Sequence, residues 1–130
     1  MEFDSLPDDI NRISKEIVDA AYKIHKTLGP GLLESAYEAC MAHEMSLRNM
    51  KFKTQLTLPV VYEEVKLDAG FRLDMLVEDK VIIEMKAVER LIPLHEAQLM
   101  TYLKLSGIRL GLLINFNERL IKQGIKRIII

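Results

Sequence analysis

The chain predicts a mixed α/β fold (α+β in its segregation): a mixed β-sheet with an N-terminal helical hairpin and a crossover helix. Three features predict it. Two stretches of helical periodicity follow one another across Gly29-Pro30-Gly31. Residues 52–62 then turn β-like in composition, and residues 71–88 alternate with period 2 about a turn. A last helical stretch stands between two strand-like ones, and strands joined through a helix run parallel with a right-handed crossover.

The first helix is expected from about Pro7 to Leu28, with Asp8 or Asp9 as its cap. Ile10, Ile13, Ile17, Ala20, Ala21 and Ile24 share one 3.6-period face, and Gly29-Pro30-Gly31 ends the helix. The second helix is expected from about Leu32 to Asn49, with Leu33, Ala36, Tyr37, Cys40, Ala42 and Leu47 on its apolar faces. Residues 52–62 turn β-like, and Pro59 within them calls for an edge position or a bulge. Glu63-Glu64 turns the chain, and Asp68-Ala69-Gly70 allows a second bend. A third helix follows from Pro93 to Leu105, with Pro93 suited to its first position and Gly107 to its end. Leu110 to Phe116 reads as a buried strand, and Ile125 to Ile130 as a final short one carrying Lys126 and Arg127.

Residues 70–86, GFRLDMLVEDKVIIEMK, carry the densest pattern. They predict a hairpin folded about Asp79, with pairs Val77–Val81, Met75–Ile83, Leu73–Met85 and Phe71–Ala87. Every pair is apolar, so burial selects this register. It also sets Arg72 beside Lys86 and Asp74 across from Glu84. Opposed like charges about 4.5–5.5 Å apart at Cβ destabilise a sheet, so folding alone gives no reason for the acidic pair. A divalent cation between the carboxylates gives one, since Mg²⁺ binds through one or two carboxylates together with phosphate oxygens and water. Lys86, two residues from Glu84, projects beside the same point. That arrangement suits hydrolysis of a phosphodiester.

Length and composition narrow the classes. The 130 residues are expected to form a single domain spanning 1–130. Apolar residues at 49% and charged residues at 28% belong to a folded protein, not a disordered one. There is no apolar run long enough to span a bilayer, and the acidic start is not a signal peptide. The single cysteine, Cys40, rules out an internal disulfide framework and fits a reducing, cytoplasmic location. Net charge is −1, but residues 1–50 hold five Lys and Arg against nine acids while residues 51–130 hold 13 against 10. The basic excess thus lies in the half with the acidic pair. His25, His43 and His95 lack the spacing of a zinc site, and no glycine-rich phosphate loop or nucleophile elbow occurs.

Gly70 to Asp74, Glu84-Met85-Lys86 and Gln98 to Tyr102, in that order, resemble the motifs of the PD-(D/E)XK nuclease superfamily in its RecB-like branch. Gly31-Leu32-Leu33-Glu34-Ser35-Ala36-Tyr37 is similar to the signature of the small bacterial GxxExxY family within it. One departure is Leu73, where the superfamily's name has proline. The resemblance covers roughly residues 8–118. It implies a restriction-endonuclease-like core and a Mg²⁺- or Mn²⁺-dependent nuclease acting on DNA or RNA. Asp74, Glu84, Glu34 and the carbonyl of Met85 would hold the metal, and Lys86 would place the attacking water. Gln98 and Tyr102, on one stripe of the third helix with His95, would line the site. Tyr37, His95 and Arg72 are secondary candidates for substrate contact. Expected partners are nucleic acid and, through the apolar tail, a second copy of the chain, with no membrane. The alternative is a nuclease-fold module without catalysis that works by binding or assembly, which the near-neutral charge favours.

Overall fold

The computed structural model describes residues 6–130, and of residues 68 and 69 only the backbone. Residues 1–5, on which the expected absence of a signal peptide rests, lie outside the described residues. The order is α1 (Asp8–Leu28), α2 (Glu34–Leu47), β1 (Phe52–Tyr62), β2 (Val65–Val77), β3 (Val81–Lys86), α3 (Pro93–Ser106), β4 (Leu110–Asn115) and β5 (Ile125–Ile129). A 3-10 turn at Ile121–Gly124 precedes β5. The strands form one mixed sheet in sequential order; β3 and β4 are parallel and the other neighbours antiparallel. This is the expected α/β architecture, crossover helix included.

The two faces of the sheet bury separate cores. All six apolar residues read from the first helix are buried, packed with Tyr37, Met41 and Met45 of α2 against Met75, Val77, Val81, Ile83 and Met85. On the other face Leu99, Tyr102 and Leu103 of α3 cover Leu73, Leu76, Ile82, Leu113 and Ile128. Among the described residues no helix is long and apolar enough to cross a membrane.

Two expectations for the helices are corrected. Pro7 holds the cap position of α1, with no side-chain cap; Asp8 and Asp9 fall in the first turn, where their charge favours the helix dipole. Asp9 pairs instead with Lys80 in the β2–β3 turn. In α2 the buried stripe is Tyr37, Met41 and Met45, while Leu33 and Leu47 are exposed. The helix begins at Glu34, which leaves Leu33 outside the helical phase. Glu44 is buried on the same stripe, held by Lys23 and Arg48, and these cations lower its carboxyl pKa.

The largest correction concerns the hairpin. Met75–Ile83 and Val77–Val81 pair as expected, but Leu73–Met85, Phe71–Ala87 and Arg72–Lys86 do not. From Leu73 back, β2 pairs only with β1: Leu73 faces Leu56, Arg72 faces Thr57 and Phe71 faces Leu58. Leu73 and Met75 are two apart yet lie in different cores, so β2 turns over at Asp74. In β1 the matching position is Gln55, whose φ of 50° is left-handed. A left-handed residue inside a strand reverses which face its neighbours take.

Beyond that point β1 and β2 continue as an arm. Its turn at Glu63-Glu64 has both residues at positive φ, the twist a two-residue hairpin loop requires. The register shifts between Leu58 and Val60, where Pro59 alone stands opposite residues 68–70; the extra residues are in β2, and Pro59 holds the expected edge-strand position facing them. Gly70 lies so close to β1 here that an added Cβ would sit 1.7 Å from the Leu58 carbonyl oxygen. Backbone cannot yield as a side-chain tip can. Gly70→Ala is therefore expected to destabilise the protein by about 3 kcal/mol, read by denaturant unfolding; an unchanged midpoint would mean the arm separates freely.

Candidate active site

The site lies where β2 parts from β3. At Asp74 and Glu84 the backbone ladder has ended, and side chains take its place. The Asp74 N–H donates to Glu84 Oε1 at 3.0 Å, and the Met85 N–H donates to Asp74 Oδ2 at 2.9 Å. Each carboxylate thus accepts a backbone amide of the other strand. A regular pair would have set the two carboxylates side by side with only repulsion between them. The opened ladder satisfies both while keeping them close.

Burial and mutual repulsion then disfavour two negative charges. Desolvation is the main cause that raises the Glu84 pKa from 4.5 to about 8, and the Asp74 charge adds to it. Asp74 is also raised, first by burial, then by the charges of Glu38 and Glu34. Lys86 is the cation that opposes the shift in both. Carboxylates perturbed in this way beside a cavity are candidates for a functional site.

Around Asp74 the surface closes into a cavity of about 270 Å³ lined by Glu34, Ser35, Glu38, Gln55, Asp74 and Met85. Of the residues read from sequence, the structure brings Glu34, Asp74 and Met85 together there. Glu84 joins through its bond to Asp74. Glu34 begins α2, and its Oε2 accepts the Ala87 N–H at 3.3 Å. A larger, apolar cavity of about 500 Å³ lies elsewhere, between α1 and α2.

Tyr102 comes from the opposite face of the sheet. It is buried, meets Phe71 edge-on at 5.0 Å, and its phenol pKa is raised by burial and by the charges of Glu84 and Asp74. The hydroxyl therefore stays protonated at neutral pH and can donate. Gln98, one turn earlier on α3, is half-buried.

The remaining candidates stand further out. His95 Nδ1 accepts the Ile92 N–H at 3.1 Å, which closes the first turn of α3. Tyr37 is fully buried: its hydroxyl donates to the Gly29 carbonyl at 2.6 Å and accepts the Leu32 N–H at 3.2 Å. Arg72 is exposed.

Two site residues escape a reading of the sequence. Gln55 Nε2 donates to Glu38 Oε1 at 2.6 Å across the cavity mouth. Glu38 could have been found, since it follows Glu34 by four residues and shares its helix face. Gln55 could not, because only the left-handed turn in β1 aims it inward.

The donors around Asp74 are hard oxygens, which suit Mg²⁺ or Mn²⁺. Among the described residues no three acidic, imidazole or thiol groups converge as a ready-made metal cage.

A model of the PD-(D/E)XK nuclease superfamily matches residues 11–128. The searches of curated proteins and of solved structures found no match.

Proposed function

The chain belongs to the PD-(D/E)XK nuclease superfamily, and from that membership we propose that it is a divalent-metal-dependent nuclease hydrolysing phosphodiester bonds of DNA or RNA. The observation that carries the reading is the pair of buried Glu84 and half-buried Asp74, each carboxylate tied to the other strand's amide and both pushed toward protonation. Holding two carboxylates this close, one buried and one half-buried, is unfavourable, and a divalent cation would offset that cost on binding.

Asp74 and Glu84 would hold Mg²⁺ or Mn²⁺, with Glu34 and the Met85 carbonyl completing the set. When bound, the ion supplies Lewis-acid polarisation of a phosphoryl oxygen. Lys86, already within electrostatic reach of both carboxylates, stabilises negative charge developing on the phosphate and orients the attacking water. Tyr102 donates from its protonated hydroxyl, and Gln98 adds an amide on the same face of α3. Backbone phosphates supply most of the grip, so binding weakens steeply with salt. The run Gly31-Leu32-Leu33-Glu34-Ser35-Ala36-Tyr37 supports the bacterial GxxExxY branch and, with the lone Cys40, a cytoplasmic setting.

Calorimetry tests the metal directly. With Glu84 protonated at pH 7 in the free protein, Mg²⁺ binding is expected to release about one proton, read from the dependence of the heat on buffer ionisation. Cleavage of single- and double-stranded DNA and RNA, assayed alongside, should require the metal and disappear in Lys86→Ala. A folded protein that binds neither Mg²⁺ nor Mn²⁺ at millimolar concentration would sink the reading and leave a binding module.

A further inference from the structure

We propose that residues 115–118, Asn-Phe-Asn-Glu at the end of β4, form a bracket that fixes Glu34 relative to Lys86, and that Asn117 is a positioning residue for the reaction. The catalytic part of this inference rests on the nuclease reading; the bracket itself does not.

Each residue of the stretch uses a different group. The fully buried Asn115 side chain accepts the Val88 N–H at Oδ1 (3.1 Å) and donates from Nδ2 to the Val88 carbonyl (2.9 Å). Its amide acts as one more peptide unit and carries the β3–β4 pairing past the last ladder pair, Lys86–Asn115. The Phe116 N–H donates to the Lys86 carbonyl at 2.9 Å. The strand end bearing Lys86 is therefore clamped on both sides of Ala87.

The other half of the bracket holds the approach to α2. Phe116 stacks flat on Tyr37, with ring centroids 4.5 Å apart, and the Tyr37 hydroxyl spans Gly29 and Leu32. Asn117 Oδ1 accepts the Gly31 N–H at 3.1 Å. The Glu118 carbonyl, which can only accept, takes a hydrogen bond from His25 Nε2 at 2.7 Å, and this ties down the end of α1. Four consecutive residues thus hold two segments that are some 50 residues apart in the chain. Those segments meet at the bond from the Ala87 N–H to Glu34 Oε2. The place of Glu34 therefore depends on where the loop before α2 is held.

Amide hydrogen exchange by NMR on the metal-free chain tests the coupling. Asn117 is only half-buried, so Asn117→Ala removes the acceptor of Gly31 and leaves the core alone. Gly31 and Ala87 are both expected to exchange roughly tenfold faster, and Asn117→Asp, which keeps an acceptor oxygen, should restore both. Tyr37→Phe, which drops only the hydroxyl, should loosen Ala87 in the same way. An Ala87 amide unchanged in folded Asn117→Ala and Tyr37→Phe overturns the bracket. With Mg²⁺ and nucleic acid, Asn117→Ala should lower kcat about tenfold at constant KM, with recovery in Asn117→Asp; an unchanged kcat overturns the positioning role. Should wild type fail to bind metal or cleave, the nuclease reading falls while exchange still decides the bracket.

Discussion

Asp74→Asn is expected to lower metal-dependent cleavage by about two to three orders of magnitude while the protein keeps its fold. Asparagine has the shape of aspartate and retains an oxygen for the Met85 N–H, so the bond that replaces the strand ladder survives. What disappears is a negative charge placed between Glu84, Glu34 and Glu38. Affinity for Mg²⁺ should fall with the rate, and the Glu84 pKa should move down once its neighbour is neutral. Calorimetry and a single-turnover assay on the same preparation check all three. Wild-type cleavage by Asp74→Asn would show that this carboxylate holds no metal, and the proposed mechanism would fail with it.

Glu84→Gln is expected to stabilise the metal-free protein at alkaline pH. The folded-state pKa of Glu84, about 8, lies above its ordinary 4.5. The native protein therefore binds more protons than the unfolded chain between those values, and stability falls as pH rises through that window. The contribution is complete below about pH 4.5 and gone above about pH 8. Its full amplitude is at most about 5 kcal/mol. Asp74, also raised, pulls in the same direction. Glutamine keeps an acceptor for the Asp74 N–H and never ionises, so in chelator the variant should outlast wild type at pH 8.5 and match it near pH 5. Adding Mg²⁺ should close the gap by stabilising wild type alone. Parallel Tm-against-pH curves for the two proteins would show that Glu84 titrates normally.

Both variants change residues that stand out in the amino-acid sequence. Asp74, Glu84 and Lys86 fall on alternating positions in two adjacent apolar strands, and that placement is anomalous for a protein concerned only with folding. The α1 stripe from Ile10 to Ile24 is equally plain, because an amphipathic helix repeats its pattern over about four turns with nothing to interrupt the phase. The turn at Glu63-Glu64, the bulge in β2 opposite Pro59 and the start of α3 at Pro93 follow from local chemistry. His95, on a helix stripe with Gln98 and Tyr102, also closes a helix turn through one ring nitrogen, a bond the stripe alone does not announce.

The order of elements, the parallel crossover from β3 to β4, and the candidate residues Asp74, Glu84 and Lys86 are written in the linear chain. Its assembly in three dimensions is what turns β2 over at Asp74, packs Leu73 under α3 rather than beside Met85, and faces Glu38 and Gln55 to the cavity. Periodicity reports a residue's face only while a strand stays regular. A left-handed residue at Gln55, and carboxylates standing in for backbone partners at Asp74 and Glu84, reset that phase without altering hydropathy. Such a break forms only when β1, β2, β3 and α2 have met, and no one of them encodes it alone.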